Sequence, residues 1–315
     1  NKRSITLDLK NPQENAQAKA LLASADVLIE NNRPGVMKRL SLDFETLSAI
    51  NPKLLYCSIS AYGQTGPRAN EGGFDVTIQA MSGIMSVTGE ADGAPVKCGV
   101  PVADFTAGLY GAMSICAQLR QVQATGQGVH IDVPMMGTSL AIAALQTSEY
   151  FGVGRDPVKL GSAHPRNAPY QAFLAKDDYL VMAAGTQSLW ETVCRILHCT
   201  DLITDPRFAN TAMRAQNQFA LKALIEATMQ SNTAEHWIAA FSQAGVPCCP
   251  INRYSDVLAD PQTIAMTWVQ PLEMANGHKT HTVGSPIKFN GAGAAISRRP
   301  PRLGEHNIEI LGESS

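Results

Sequence analysis

Residues 26–60, DVLIENNRPGVMKRLSLDFETLSAINPKLLYCSIS, determine the fold of this chain. They begin with the apolar run DVLIE (residues 26–30), pass through a helical pattern at residues 44–50, and end in a second apolar run, LLYCSIS (residues 54–60). Short apolar runs separated by a helix are typical of parallel strands joined by a crossover. The stretch therefore predicts a parallel sheet covered by helices.

The same alternation continues on both sides of this stretch. Before it, SITLDL (residues 4–9) predicts a strand and residues 12–25 a helix, because alanines and leucines recur there near the helical period. After it, helices are expected near residues 75–82 and 105–121, followed by the strand VHIDV (residues 129–133). Together these patterns predict an α/β fold with a Rossmann-like, doubly wound sheet domain.

After about residue 150 the pattern changes to that of a smaller α+β domain. FLAKDDYLVMAAG (residues 173–185) predicts a β-hairpin, helices follow, and VPCCPI (residues 246–251) predicts another strand. The expected organisation is a large domain at residues 1–150, a linker at 151–168, a small domain at 169–255, a return linker at 256–285, and a C-terminal segment at 286–315 that rejoins the large domain.

Composition excludes several classes of protein. The 25 Lys and Arg nearly balance the 27 Asp and Glu, without the clusters that grip nucleic acid. No apolar run approaches the ~20 residues that span a membrane. The seven cysteines lack CxxC spacing, so neither a disulfide framework nor a zinc site is indicated, and a cytoplasmic location is expected. Charged residues make up only 17% of the chain, against about 25% in typical domains, which suggests that a partner or second copy covers some surface.

The usual cofactor and metal motifs are missing from the sequence. It contains neither GxGxxG after a strand nor GxxxxGK[ST], and no HExxH, so no tightly bound cofactor and no metal are expected. What remains is Asp104, in GVPVADFTAGLYGA (residues 99–112), between an irregular loop and a helix rich in small residues. Asp104 is either the N-cap of this helix or a nucleophilic carboxylate at its start.

Eight stretches occur in a characteristic order along nearly the whole chain: NKRSITLDLKNP, ADVLIENNRPGVMKRLSLDFETLSAINPKLLYCSISAYGQTGP, GGFDVTIQAMSG, PVADFTAGLYGA, ATGQGVHIDVPM, GSAHPRNAPYQAF, GVPCCPI and PRLGEH. In this order and spacing the chain resembles the family III CoA-transferases, the CaiB/BaiF type that includes formyl-CoA transferase and carnitine CoA-transferase. The resemblance implies that relatives begin with a further strand–helix–strand portion, so an N-terminal part is expected to be missing here.

The resemblance implies a transferase that moves CoA from an acyl-CoA donor to a small carboxylic or dicarboxylic acid. Asp104 would be its nucleophile, attacking the thioester to give a mixed anhydride and then an aspartyl-CoA thioester. Coenzyme A and acyl-CoA would be substrates rather than bound cofactors. An interlocked homodimer is also implied.

The resemblance further implies two groups of binding residues. The residues that would contact CoA are Asn31, Asn32, Arg33, Arg39, Leu40, Gly72, Gly73, Phe74 and Asp75. Gly161 and His164 would belong to a mobile loop that covers the intermediate. From the residues alone, Arg33 and Arg39 are equally compatible with solvated surface charges, Asp75 with a helix cap, and GSAHPRNAPY with an ordinary linker.

Two other functions are compatible with the same motifs. One is a non-catalytic CoA-binding partner subunit, although a binding module has no need of a nucleophile such as Asp104. The other is an acyl-CoA racemase. Related racemases carry His in the string GHD, whereas this chain has Phe74 in GFD, and phenylalanine cannot accept a proton.

Overall fold

A computed structural model describes residues 1–312 of the chain. The chain divides into two compact units. Unit 1 comprises Asn1–Thr88, Pro95–Val158 and the chain from Trp268 onward, and unit 2 comprises Gly89–Ala94 and Lys159–Thr267. Each unit has a hydrophobic core of its own.

The first part of unit 1 alternates helices with three strands. Its elements are α1 (Pro12–Leu22), β1 (Val27–Glu30), α2 (Val36–Arg39), α3 (Phe44–Ile50), β2 (Leu55–Ser60), α4 (Asp75–Met81), a 3₁₀ turn (Ile84–Ser86), α5 (Val102–Thr125), β3 (Val129–Pro134), α6 (Met135–Ile142) and α7 (Ala144–Val153).

The three strands form a parallel sheet in the order β1-β2-β3. Successive side chains of β2 point to opposite faces, and both faces are buried. Cys57 faces α5, where a Cβ at Gly111 would lie 3.6 Å from its Sγ. Tyr56 packs in the cluster that contains Leu47 of α3 and donates a hydrogen bond to the Leu42 carbonyl at 3.0 Å. Helices thus cover both faces of the sheet, and the prediction of an α/β fold with a parallel sheet is confirmed.

Gly128 is required at the entry to β3 because two backbone segments meet there. Its amide donates to the Pro52 carbonyl at 2.6 Å, and a Cβ atom at this position would lie 2.2 Å from the Leu54 carbonyl oxygen. Any other residue would force β3 away from β2.

Unit 2 combines an antiparallel sheet with short helices. Its elements are β4 (Tyr170–Leu174), β5 (Tyr179–Ala183), α8 (Gln187–Ile196), a 3₁₀ turn (Thr200–Ile203), α9 (Thr211–Gln216), α10 (Gln218–Met229), α11 (Ala234–Gln243), β6 (Cys248–Pro250), α12 (Tyr254–Ala259) and α13 (Pro261–Ala265). The predicted hairpin is confirmed, since Phe173 of β4 is paired with Leu180 of β5.

The last part of the chain returns to unit 1. It contains β7 (Val269–Glu273), β8 (Lys279–Val283), β9 (Lys288–Phe289), β10 (Ala292–Gly293) and α14 (Asn307–Leu311). β7 pairs with β8, and β9 with β10, as two separate antiparallel hairpins.

The strand predicted at residues 4–9 is wrong. The Ser4 amide donates to Nδ1 of His306 at 3.1 Å, and the Ser4 carbonyl accepts from the His306 amide at 2.9 Å. The Thr6 amide donates to Oδ1 of Asn307 at 2.9 Å. These groups bond to the segment that enters α14, so within the described chain the stretch forms no strand.

Within residues 1–312, no helix combines the length and the apolar character needed to cross a membrane.

Arg214 of α9 organises the polar interior of unit 2. It is 0% exposed, and no ion pair to it occurs among the described residues. Instead, its Nε donates to the Ala168 carbonyl at 2.9 Å and its Nη1 to the Phe208 carbonyl at 3.1 Å and to Oε1 of Gln187 at 2.9 Å. The guanidinium also lies 5.6 Å from the centre of the Trp190 ring. One side chain thereby joins four segments of unit 2.

Replacing Arg214 with Met should destabilise the protein strongly. The carbonyl oxygens of Ala168 and Phe208 would stay buried without a donor, at about 1–3 kcal/mol each. We expect the free energy of unfolding, measured by urea denaturation, to fall by about 3 kcal/mol or more. Arg195→Met, at an exposed position of α8, is the control and should change it by about 0.5 kcal/mol or less. Equal effects of the two substitutions would contradict this role of Arg214.

Candidate active site

A cavity of about 530 Å³ opens at the carboxyl ends of the three parallel strands. Segments that follow each strand contribute to it, as expected for ligand sites of α/β proteins. Its lining consists of Asn31, Asn32, Arg33, Pro34, Ile59, Ser60, Ala61, Glu71, Gly72, Gly73, Phe74, Asp104, Ala107, Gly108 and Met135. The glycine-rich loop before α4 and the start of α5 therefore meet over one site.

Seven of the residues that the sequence singled out lie together in this lining: Asn31, Asn32, Arg33, Gly72, Gly73, Phe74 and Asp104. Arg39, Leu40 and Asp75 are not part of it. Arg39 folds back along α2 towards Gly35, and Leu40 packs partly buried beside Leu42 and Leu47. Gly161 and His164 belong to unit 2.

Asp104 lies in the first turn of α5, and its interpretation as an N-cap is wrong. α5 begins at Val102 after Pro101, so Asp104 is the third helical residue. The residue is exposed, and no hydrogen bond between residues 1–312 engages its carboxylate. One turn later, Gly108 leaves open space where a side chain would stand. The carboxylate thus lies in the cavity lining without a hydrogen-bond partner among residues 1–312.

The cap of α5 is supplied by Asp75 instead. Oδ1 of Asp75 accepts the Ala103 amide at 2.9 Å, and Oδ2 accepts Nε2 of Gln79 at 2.7 Å. Asp75 itself is the first residue of α4, whose N-cap is Phe74, so the idea that Asp75 caps its own helix is also wrong. The carboxylate crosses from one helix to stabilise the start of the next.

Two effects raise the pKa of Asp104 above its ordinary value. The larger is partial desolvation of the carboxylate, and the second is the negative charge of Asp75. Both disfavour the ionised form, so the carboxylate is more basic than a solvated aspartate. The positive N-terminal end of the 24-residue α5 acts in the opposite sense on a charge in its first turn.

The two glycines before α4 are explained by close approach rather than by backbone conformation. A Cβ at Gly72 would lie 2.8 Å from Nη2 of Arg33, and a Cβ at Gly73 would lie 2.8 Å from Cβ of Ala61. The loop therefore lies directly against the Arg33 guanidinium on one side and against the chain after β2 on the other.

Asn31 and Asn32 hold the loop that carries Arg33. Nδ2 of Asn31 donates to the Ile59 carbonyl at 2.8 Å, and the Asn32 amide donates to Oε2 of Glu30 at 2.7 Å. The first bond ties the chain after β1 to the end of β2, and the second fixes the turn directly after β1. Arg33 is thereby presented to the cavity, where a guanidinium suits phosphate or carboxylate.

Sequence reasoning missed part of this lining, including Ser60, Ala61, Gly108 and Met135. Ser60 ends β2, Ala61 follows it, and Met135 directly follows β3. The rule that ligands bind beyond the carboxyl ends of parallel strands could have identified Ser60, Ala61 and Met135, but not Gly108, which lies within α5. No arrangement of three or more His, Cys, Asp or Glu side chains suited to a metal ion occurs between residues 1 and 312.

Gly161 and His164 lie in the irregular segment of unit 2 that precedes β4. Gly161 has a φ of 60° and its amide donates to the Gly89 carbonyl at 2.9 Å, while a Cβ there would meet the Glu90 carboxylate at 2.8 Å. Nδ1 of His164 accepts the amide of Asn167 at 3.1 Å, which assigns the proton of the neutral ring to Nε2. The His164 ring therefore has a donor available on its other side.

Removing the charge of Asp75 should lower the pKa of Asp104. Asp75→Asn retains an oxygen for the Ala103 amide but abolishes the repulsion that disfavours ionised Asp104. Carbodiimide reacts with protonated carboxyls, so the rate at Asp104, mapped by mass spectrometry against pH, reports this pKa. Its inflection should move to lower pH, because the charge that disfavours ionised Asp104 is gone.

Asp132→Asn is the matched control, because Asp132 is not among the groups that raise the pKa of Asp104. It should leave the inflection in place. An unchanged inflection in Asp75→Asn would show that the Asp75 charge does not act on Asp104.

Comparison with known proteins gives the family of the chain. The model of CoA-transferase family III matches residues 1–307. A succinate–glutarate CoA-transferase of Agrobacterium fabrum is 37% identical over 312 residues, which cover 99% of this chain and 78% of the relative. An acetyl-CoA:oxalate CoA-transferase of Acetobacter aceti is 36% identical over 314 residues, or 99% and 79% of the two chains.

A solved structure of the same family has a similar fold. The crystal structure of a CAIB/BAIF family protein from Brucella suis superposes with a TM-score of 0.84 at 38% identity, covering 98% of this chain and 80% of that one. The chain belongs to CoA-transferase family III and is a transferase enzyme.

Proposed function

We propose that this enzyme moves CoA from an acyl-CoA donor to a small dicarboxylic acid, with Asp104 as the nucleophile. The observation that carries the proposal is the exposed Asp104 carboxylate in the cavity that Arg33 also lines. A reactive carboxylate and a cationic group for phosphate or carboxylate are the two features that this chemistry needs in one cavity.

The first half of the proposed reaction loads CoA onto the enzyme. A carboxylate oxygen of Asp104 attacks the thioester carbonyl carbon, the carbon–sulfur bond breaks, and a mixed anhydride and CoA thiolate result. The thiolate then attacks the Asp104 carbonyl carbon and expels the donor acid as its carboxylate. An aspartyl-CoA thioester remains.

The second half repeats these steps with the acceptor. Its carboxylate attacks the aspartyl thioester and releases CoA thiolate, forming a second mixed anhydride. The thiolate attacks the acceptor's carbonyl carbon, the new acyl-CoA leaves, and Asp104 returns to its carboxylate. The raised pKa of Asp104 supports this scheme, because a more basic carboxylate is a better nucleophile.

CoA is proposed to bind along the loops that line the cavity. Asn31, Asn32 and Arg33 on one side and Gly72, Gly73 and Phe74 on the other would contact it, with Arg33 bonding to phosphate. Arg39 and Leu40 lie outside the cavity lining, and we propose that they contact the nucleotide part of CoA. Asp75 acts through α5 rather than by touching CoA.

An anhydride intermediate needs protection from water. We assign that task to the loop of Gly161 and His164, which would cover the intermediate. The preference for dicarboxylates is taken from the relatives, which are named for succinate, glutarate and oxalate.

The proposal includes a homodimer whose two chains interlock. It is supported by an apolar stripe on α5, where Phe105, Leu109 and Met113 stand at helical spacing with exposures of 65%, 71% and 60%. A second copy would cover such a stripe. A doubly wound CoA-binding domain at residues 1–150, a smaller domain at 169–255 and a cytoplasmic location belong to the same proposal.

Asp104→Ala should abolish transfer. Without the carboxylate no anhydride can form, so the rate should fall by about a thousandfold or more. Incubation of the wild-type enzyme with succinyl-CoA and hydroxylamine should convert Asp104 to its hydroxamate, which peptide mass spectrometry locates. Modification at another residue, or normal turnover by Asp104→Ala, would rule out this mechanism.

A screen of acceptor acids tests the reaction itself. With succinyl-CoA as donor, glutarate and oxalate should yield new thioesters by mass, whereas a monocarboxylate of similar size should react at least about tenfold more slowly. CoA binding without any new thioester would indicate a non-catalytic partner subunit. Exchange of the α-proton of a methyl-branched acyl-CoA in deuterated water would indicate a racemase.

A further inference from the structure

Gln79 of α4 is a fully buried polar side chain next to the site, with 0% exposure. Its Oε1 accepts the Cys98 amide at 2.8 Å, and its Nε2 donates to Oδ2 of Asp75 at 2.7 Å. Burying a side-chain amide destabilises a protein unless its polar atoms form hydrogen bonds. Both the oxygen and the nitrogen of the Gln79 amide form them. Gln79 does not line the cavity.

The side-chain amide of Gln79 connects a backbone donor on one segment with a carboxylate acceptor on another. The Cys98 amide is a donor and the Asp75 carboxylate is an acceptor, so only a side chain with one acceptor end and one donor end serves both. The other oxygen of Asp75 then accepts the Ala103 amide at 2.9 Å. Three hydrogen bonds in series therefore fix both ends of residues 98–103.

Within residues 98–103, Ala103 is buried in the core of unit 1, whereas the stretch before α5 has few contacts of its own. Residues 99–101 are exposed, and the Lys97 side chain, which bonds to the Cys98 and Gly99 carbonyls, is a neighbour within the same loop. Asp104 directly follows this segment. The packing of α5 places this helix on the sheet, and the bonds that begin at Gln79 join its first turn, which carries Asp104, to α4.

We propose that Gln79 is a positioning residue for CoA transfer: through Cys98 and Asp75 it holds residues 98–103, and thereby the Asp104 carboxylate, in the geometry for attack. This inference rests on the proposed function. Gln79 does not line the cavity, so we expect it to act on the chemical step and not on substrate binding.

Gln79→Met tests this inference. Methionine has nearly the same volume, but it leaves the Cys98 amide without an acceptor. It also removes the donor to Oδ2 of Asp75, while the Ala103 amide still bonds to Oδ1. Hydrogen–deuterium exchange of the peptide that contains residues 98–103 should become about tenfold faster. For succinyl-CoA, kcat should fall by about 10- to 100-fold, since small misplacements of reacting groups have effects of this size, while KM stays within about twofold.

Val122→Ala is the matched control. Val122 is buried in the same core at the far end of α5 and is remote in sequence from Gln79, Asp75 and Cys98. It should lower Tm to a similar degree while leaving kcat and the exchange of residues 98–103 unchanged.

The outcomes separate the two proposals. If the wild-type enzyme transfers CoA and Gln79→Met loses no more kcat than Val122→Ala, the positioning role is overturned. If the wild-type enzyme transfers no CoA, the proposed function fails. The exchange experiment then decides on Gln79 by itself, because unchanged exchange in Gln79→Met would show that it does not hold the segment.

Discussion

Parallel pairing of β2 with both of its neighbours is the constraint on which the site depends. Because all three strands run the same way, their carboxyl ends meet at one edge of the sheet, and the segments that follow them converge. Asn31–Arg33 follow β1, Ala61 follows β2 and Met135 follows β3. An antiparallel β2 would send the loop of Ala61 to the opposite edge, and no common cavity would exist. Gly128 preserves this pairing by letting β3 approach the chain before β2.

One carboxylate, that of Asp75, affects both the start of α5 and the pKa of Asp104. The Asp75 carboxylate stabilises the start of α5 by accepting a backbone amide, yet the same charge makes ionised Asp104 less favourable. A neutral cap could accept the same backbone amide without this effect on Asp104. The charged cap therefore couples the position of Asp104 to its basicity, and a more basic carboxylate suits the nucleophilic role proposed for Asp104.

The sequence predicted the parts of the fold that local pattern controls. DVLIE and LLYCSIS became β1 and β2 because apolar, β-branched runs pack on a buried sheet. SITLDL has the same pattern but forms no strand, since a strand also needs a neighbour, and the bonds of Ser4 and Thr6 go to His306 and Asn307. The cap of α5 was unpredictable for a related reason. Its donor and acceptor, Ala103 and Asp75, are 28 positions apart and meet only in the folded chain.

Arg214 has a consequence for how unit 2 responds to acid. A guanidinium keeps its proton throughout the physiological pH range, even though burial lowers its pKa. Its acceptors, among them the Ala168 and Phe208 carbonyls, do not titrate at all. This interior linkage is therefore insensitive to acidity, unlike a buried carboxylate pair, which loosens when one member is protonated. The segment from His164 to Ala168 therefore keeps its hydrogen bond to Arg214 throughout the physiological pH range.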